Sequence, residues 1–193
     1  MPFIFGYGSL LNLCNHNIND NLYYVKLIPS VNFSVRRSFN AQSEKSSCIP
    51  NAYTALGIEY VDDIEKTQPI NGIIFEVDEI KLLKLIEREK NYKIVELELS
   101  LFDFIKSSDY VKFIDYFDSN KDEISRKIIT FVPIKTEYES ITYPLNKKYI
   151  QICLDGFLAV DKTFAYNFIE TTYGWSDEVL EYAHNYINAN KCE

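Results

Sequence analysis

Phe3-Ile4-Phe5-Gly6-Tyr7-Gly8-Ser9-Leu10 is a short apolar run that ends on two closely spaced glycines. Three apolar residues stopped by Gly-Tyr-Gly-Ser read as a buried strand running into a tight turn. The 193-residue chain holds only six glycines, and two of them fall within these three positions. Glycine is placed where backbone takes an unusual dihedral or approaches something closely. Successive N–H groups in such a turn can converge on one oxygen, which suits the carboxylate or carbonyl of a small ligand. An ordinary tight turn has the same spacing, so the motif alone leaves both readings open.

Working outward, strand patterns dominate the first 135 residues. Tyr23 to Ile28 is one strand. Val31, Phe33 and Val35 alternate with polar residues in a second, and a polar loop is expected from about Asn40 to Asn51. Leu56, Ile58 and Tyr60 mark a third, Pro69 to Val77 a fourth, Val95 to Leu101 a fifth and Lys127 to Val132 a sixth. Helical spacing marks about Val77 to Lys90, with Asp78 as N-cap, and Tyr110 to Phe117. From about 148 onward the chain reads as helical: Lys148 to Leu154, Lys162 to Thr171 and Asp177 to Asn188. Regular strand–helix alternation is absent, which argues against a doubly wound parallel sheet. The expectation is one α+β domain over residues 1–193, with a mixed, mostly antiparallel, barrel-like sheet and surrounding helices.

Composition narrows the chemistry. The net charge of −8 opposes a phosphate backbone, and Arg36-Arg37 and Lys147-Lys148 are only pairs, so no nucleic-acid partner is expected. No stretch approaches the length of a membrane span and no basic, apolar leader opens the chain, so a cytoplasmic location is expected. Cys14, Cys48, Cys153 and Cys192 are too dispersed for a CxxC site and read as free thiols. His16 and His184 are the only histidines, and neither stands in a triad, dyad or metal-ligand pattern. Acid/base chemistry then falls to a carboxylate.

Such a carboxylate lies on the 77–90 helix. Leu82, Leu85 and Ile86 form an apolar stripe with Leu83 at its edge. At about 100° per residue Glu89 falls within that stripe and Glu87 outside it. A carboxylate on a core-facing side costs free energy unless partnered, neutralised or functional, and its pKa rises there. The other reading is a fraying helix end from which Glu89 reaches solvent.

Phe5-Gly6-Tyr7-Gly8-Ser9-Leu10 resembles the N-terminal signature of γ-glutamylcyclotransferases and the related ChaC proteins, which read YGSN or YGSL directly after the first strand. Ile70 to Val77, with Gly72 before an apolar run, is similar to a later strand of that superfamily. Leu85-Ile86-Glu87-Arg88-Glu89-Lys90-Asn91-Tyr92 resembles the helix end that follows it, which matches the catalytic position to Glu89. Ile86 stands where the family often has Asp, and the spacer to Tyr92 is short. Tyr143-Pro144, Tyr149 and Gly156 resemble a Pro-x-x-Tyr segment, and Arg37-Ser38-Phe39 an Arg-x-Phe element.

The resemblance implies cyclisation of a γ-glutamyl group to 5-oxoproline with release of an amine or amino acid. Glu89 would act as acid/base, and Tyr7, Gly8, Ser9 and Leu10 would hold the substrate. Tyr149 would hydrogen-bond the substrate or the carboxylate, or else is simply an aromatic on a buried helix face. Arg37 would orient a carboxylate or cap a barrel end, and Tyr92 follows the catalytic position. No metal and no organic cofactor is implied. The partner is a small γ-glutamyl substrate, with no nucleic acid and no membrane, and a homodimer is left open. A non-catalytic ligand binder or an interaction domain on the same fold is the alternative.

Overall fold

The computed structural model describes residues 2–12, 22–44, 49–119, 127–138, 140 and 142–190. Nine strands are named among them: β1 (Phe3–Gly6), β2 (Leu22–Leu27), β3 (Val35–Ser43), β4 (Tyr53–Tyr60), β5 (Ile70–Glu76), β6 (Tyr92–Leu97), β7 (Phe102–Phe104), β8 (Ile128–Pro133) and β9 (Thr172–Tyr173). The helices are α1 (Glu79–Arg88), α2 (Ser107–Ser119), α3 (Lys147–Leu158), α4 (Lys162–Glu170) and α5 (Asp177–Ala189). The class is α+β, with two mixed sheets ordered β6-β8-β1-β5-β2-β7 and β4-β3-β9. Pairing is antiparallel except for β1 with β8 and β3 with β9.

The expected barrel does not close among the described residues. β3 pairs with β4 on one side and with β9 on the other, and these strands extend neither edge of the larger sheet. The predicted 31–35 strand is also displaced. Val31 lies in a turn and is 86% exposed, while β3 starts at Val35 and runs through Ser43. Part of the expected 40–51 loop is therefore strand, and Asn40 is buried within it. Leu99–Leu101, expected as the end of a strand, is a single tight helical turn before β7. Cys14, Cys48, Cys192 and His16 lie outside the described residues. Cys153 is a buried free thiol, and His184 sits half-buried on α5 beside the Tyr166 ring.

β1 owes its central place to its composition: Phe3, Ile4 and Phe5 are all fully buried between β5 and β8. Phe113 of α2 packs its ring on Phe3, Tyr23 and Phe104, which covers this part of the sheet. Phe157, Phe164 and Phe168 of the C-terminal helices stack together, and Trp175 bridges Phe168 to Phe39 of β3. Gly72 of β5 has a structural reason. A Cβ there would press on the carbonyl oxygen of Gly6 and lie 2.6 Å from Phe5 Cε2. Neither the β1 backbone nor a fully buried ring can yield cheaply, so Gly72→Ala is expected to destabilise the fold by about 1–3 kcal/mol. Urea titration would show this as a lower midpoint with an unchanged slope.

Candidate active site

The turn that follows β1 passes into helical backbone at residues 10–12. Its closing bond runs from the Leu11 N–H to the Gly8 carbonyl at 3.0 Å. Neither Gly6 nor Gly8 has positive φ; among the described residues only Gly174 does, at 84°. What Gly8 supplies is close approach, since a Cβ there would lie 3.1 Å from Leu56 Cδ1. No hydrogen bond among the described residues occupies the N–H of Ser9 or Leu10. That is the usual state of donors at the first turn of a helix. The Asn12 side chain donates to the Ile152 carbonyl at 3.0 Å, tying this segment to α3.

α1 starts as its sequence requires, with the Asp78 carboxylate accepting from the Lys81 N–H at 2.7 Å. No residue of the helix is fully buried. Leu82 and Leu85 face inward in part, whereas Ile86 is 39% exposed, so the inward stripe is narrower than expected. Glu89 caps the helix through its N–H to the Leu85 carbonyl at 2.8 Å. Its side chain is 14% exposed, in contrast to exposed Glu87. Burial raises its pKa, and the Arg88 guanidinium, with Nε 3.4 Å from Oε1, acts in the opposite direction. Arg88 also donates from Nη2 to Ser9 Oγ at 3.0 Å and so ties the helix end to the glycine turn.

Tyr7, Gly8, Ser9, Leu10, Glu89, Tyr92 and Tyr149 border one small cleft of about 30 Å³, completed by Leu56 and Phe131. The turn comes from β1, Glu89 from the α1 cap, Tyr92 from the start of β6 and Tyr149 from the first turn of α3. The Tyr7 hydroxyl donates to the Phe131 carbonyl at 2.5 Å, and that of Tyr92 donates to the Leu56 carbonyl at 2.8 Å. Tyr149 differs: its hydroxyl oxygen accepts the Leu56 N–H at 3.0 Å. Its own proton is left for the Cys153 sulfur, a weak acceptor, or for a ligand oxygen. Burial pushes all three phenols up, with Glu89 adding to the shift at Tyr7 and Tyr92, so they remain hydrogen-bond donors at neutral pH. Burial also raises the Cys153 thiol to about 12, which keeps it unreactive.

Arg37 does not line the cleft. It is fully buried, and Nη1 reaches the cleft only through the main chain, donating to the Tyr7 carbonyl at 3.3 Å and to the Asn71 carbonyl at 2.9 Å. Arg88, Leu56 and Phe131 were not anticipated as parts of the site. A cation adjacent to Glu89 was the available signal for Arg88. Leu56 and Phe131 supply main-chain groups, which no side-chain pattern announces.

Comparison with protein-family models and with curated proteins finds no match. Among solved structures the chain is similar to YkqA from Bacillus subtilis, a structural-genomics target, at 13% identity and a TM-score of 0.42. The likeness covers 97% of this chain and 54% of that one, so the chain spans about half the length of that neighbour. A likeness of this degree carries no inference about activity.

Proposed function

We propose that this protein is a cofactor-independent enzyme of the γ-glutamylcyclotransferase type, acting on a small γ-glutamyl substrate. The observation that carries this reading is the meeting of the Tyr7–Leu10 turn with Glu89, a mostly buried carboxylate of raised pKa, in one cleft. Glu89 takes a proton from the substrate's α-ammonium. The freed amine nitrogen attacks the γ-carbonyl carbon, and a five-membered ring closes. As the bond from that carbon to the leaving nitrogen breaks, Glu89 returns the proton to that nitrogen, and the ring nitrogen's second surplus proton passes through Glu89 to the departing amine, which leaves as an ammonium. The products are 5-oxoproline and an amine or amino acid, with no atom or electron drawn from elsewhere.

Because nucleophile and carbonyl belong to one molecule, orientation supplies much of the acceleration. The open N–H groups of Ser9 and Leu10 are the donors for substrate oxygen, including the oxyanion that develops during attack. Tyr149 offers a further proton.

Mass-spectrometric screening for 5-oxoproline over γ-glutamyl amino acids, glutathione and γ-glutamylamines tests the reading. Absence of 5-oxoproline from every substrate would overturn it. The pH profile gives a second check. Glu89 must be ionised to act as base, and burial raises its pKa. Activity is therefore expected to fall on acidification at a pH above the ordinary glutamate value of about 4.3. An acid limb at or below that value would remove Glu89 from the role.

A further inference from the structure

The main chain of Glu89 is held on both sides. Its N–H donates to the Leu85 carbonyl, and its carbonyl accepts the Tyr92 N–H at 2.8 Å. Its carboxylate has a single hold: among the described residues the one ion-pair or hydrogen-bond partner is Arg88. We infer that Arg88 is a positioning residue of the proposed reaction: its guanidinium bridges Glu89 to Ser9, and so fixes the proton acceptor against the turn that holds the substrate. The inference rests on the cyclisation reading above and adds a residue to its machinery.

Adjacent residues within a helix do not face each other. Arg88 and Glu89 meet because the helix stops between them, with Glu89 at φ −91° and ψ 34°, outside helical values. Arg88 Nε then lies 3.4 Å from Glu89 Oε1, while Nη2 donates to Ser9 Oγ at 3.0 Å. Among the described residues this is the one hydrogen bond between residues 7–10 and α1. A planar guanidinium carries its N–H groups in a rigid fork, so two partners engaged at once have their separation fixed. The bridge also sets the role of the serine. Ser9 Oγ accepts from Arg88, which leaves its own proton for an oxygen in the cleft that it borders.

Arg88 is the charge of the site as well. The titratable groups that the other elements bring to the cleft are phenols: Tyr7 after β1, Tyr92 of β6, Tyr149 of α3, and Tyr53 of β4 acting on Tyr92 and Tyr149. Cys153 lies beside Tyr149, Arg37 contacts the Tyr7 carbonyl, Lys90 borders a separate groove and Glu87 is exposed. Burial raises the Glu89 pKa and Arg88 draws it back. Removing the cation therefore raises that pKa further. A base must be ionised to act, so the acid limb of activity moves to higher pH.

The test compares Arg88→Gln, Arg88→Lys and Ser9→Ala. The readouts are the pH profile of kcat for 5-oxoproline formation and a ¹³C NMR titration of the Glu89 carboxyl. Arg88→Gln is expected to lower kcat about tenfold near neutral pH, as loss of one charge-assisted hydrogen bond would do, with a smaller change in KM. Its acid limb and its Glu89 titration are both expected at higher pH than in wild-type protein. Arg88→Lys keeps the charge, so its limb should stay close to that of wild type. Its kcat should remain reduced, because an ammonium lacks the fork that engages both partners. Ser9→Ala should cost less in the Arg88→Gln background than alone, since the bridge is already gone. Wild-type kcat in Arg88→Gln, or a limb and titration that do not move, would overturn the inference and leave the cyclisation reading standing. Absence of 5-oxoproline from wild-type protein ends that reading and the inference with it. A general loss of folding would depress kcat at every pH alike, which a displaced limb does not resemble.

Discussion

Replacing Glu89 by glutamine is expected to lower 5-oxoproline formation by about 10²–10⁴-fold, the usual contribution of a positioned acid/base. The substitution preserves shape and removes the proton acceptor. Substrate binding through the turn is expected to change far less than kcat. Stability should not suffer. Burial raises the folded-state pKa of Glu89 above its unfolded value. Such a carboxylate favours the fold below its unfolded pKa, and that contribution is lost as pH rises through the folded pKa. At neutral pH its ionised form is a burden on the fold, and glutamine removes the burden. Glu89→Gln should therefore melt at or slightly above the wild-type temperature while being inactive. Glu87→Gln is the internal control, because Glu87 is exposed on the same helix and does not border the cleft. Its turnover should stay within about twofold, as expected for a surface change. Normal turnover in Glu89→Gln would remove the proposed mechanism. A large loss in Glu87→Gln would show that helix phase selected the wrong carboxylate.

Helix phase could discriminate between these carboxylates because α1 is regular and its N-cap fixes where it begins. The stripe through Leu82, Leu85 and Glu89 follows from that start. Ile86 fails the same test: it lies at the stripe's margin, on a helix with no fully buried residue. β1 was legible because three apolar residues and two glycines admit little else. β3 was less so, because Ser38 and Asn40 are polar yet fully buried, and polarity there mimics a loop. Sheet closure was not legible at all. Strand patterns say which side chains face inward, but not whether β3 and β4 continue the larger sheet or form their own with β9. The cleft was legible in its side chains and hidden in its main chain, since Leu56 acts through its N–H and carbonyl. Pairing the turn with Glu89 also depended on family resemblance, because periodicity alone does not bring residue 8 near residue 89.

Arg37 carries the largest expected effect on stability. On β3 it alternates in step with Val35 and Phe39, and all three are fully buried. Its guanidinium has no carboxylate partner among the described residues. Nε donates to Thr172 Oγ1 at 2.8 Å, and Nη2 donates to Asn71 Oδ1 at 2.9 Å, Thr171 Oγ1 at 2.7 Å and the Phe168 carbonyl at 3.2 Å. With Nη1 on the Tyr7 and Asn71 carbonyls, every N–H is in use, and none remains for a substrate. The Phe168 ring lies under the fork, 4.7 Å from the guanidinium carbon. Burial pushes the pKa down to about 9, which still leaves the group charged at neutral pH. A buried charge costs several kcal/mol in desolvation, and here neutral acceptors alone offset it. Each hydrogen bond to a charged group contributes about 1.5–3 kcal/mol, so the set together outweighs that cost. Arg37→Met removes the charge but strands the Tyr7 carbonyl and Asn71 Oδ1. The expected net loss is about 3 kcal/mol, a large part of the 5–15 kcal/mol typical of a folded domain. Arg37→Lys keeps the charge and loses the planar fork, and it should be destabilised as well. Two matched losses would show that geometry, and not charge alone, holds β3, β5, the end of α4 and the glycine turn together. Urea midpoints for both variants decide this, and a wild-type midpoint for Arg37→Met would sink the account. Since the Tyr7 carbonyl is one of the released acceptors, residual folded Arg37→Lys should also lose turnover through a displaced turn. That makes Arg37 a positioning residue for the cleft, reached through the main chain.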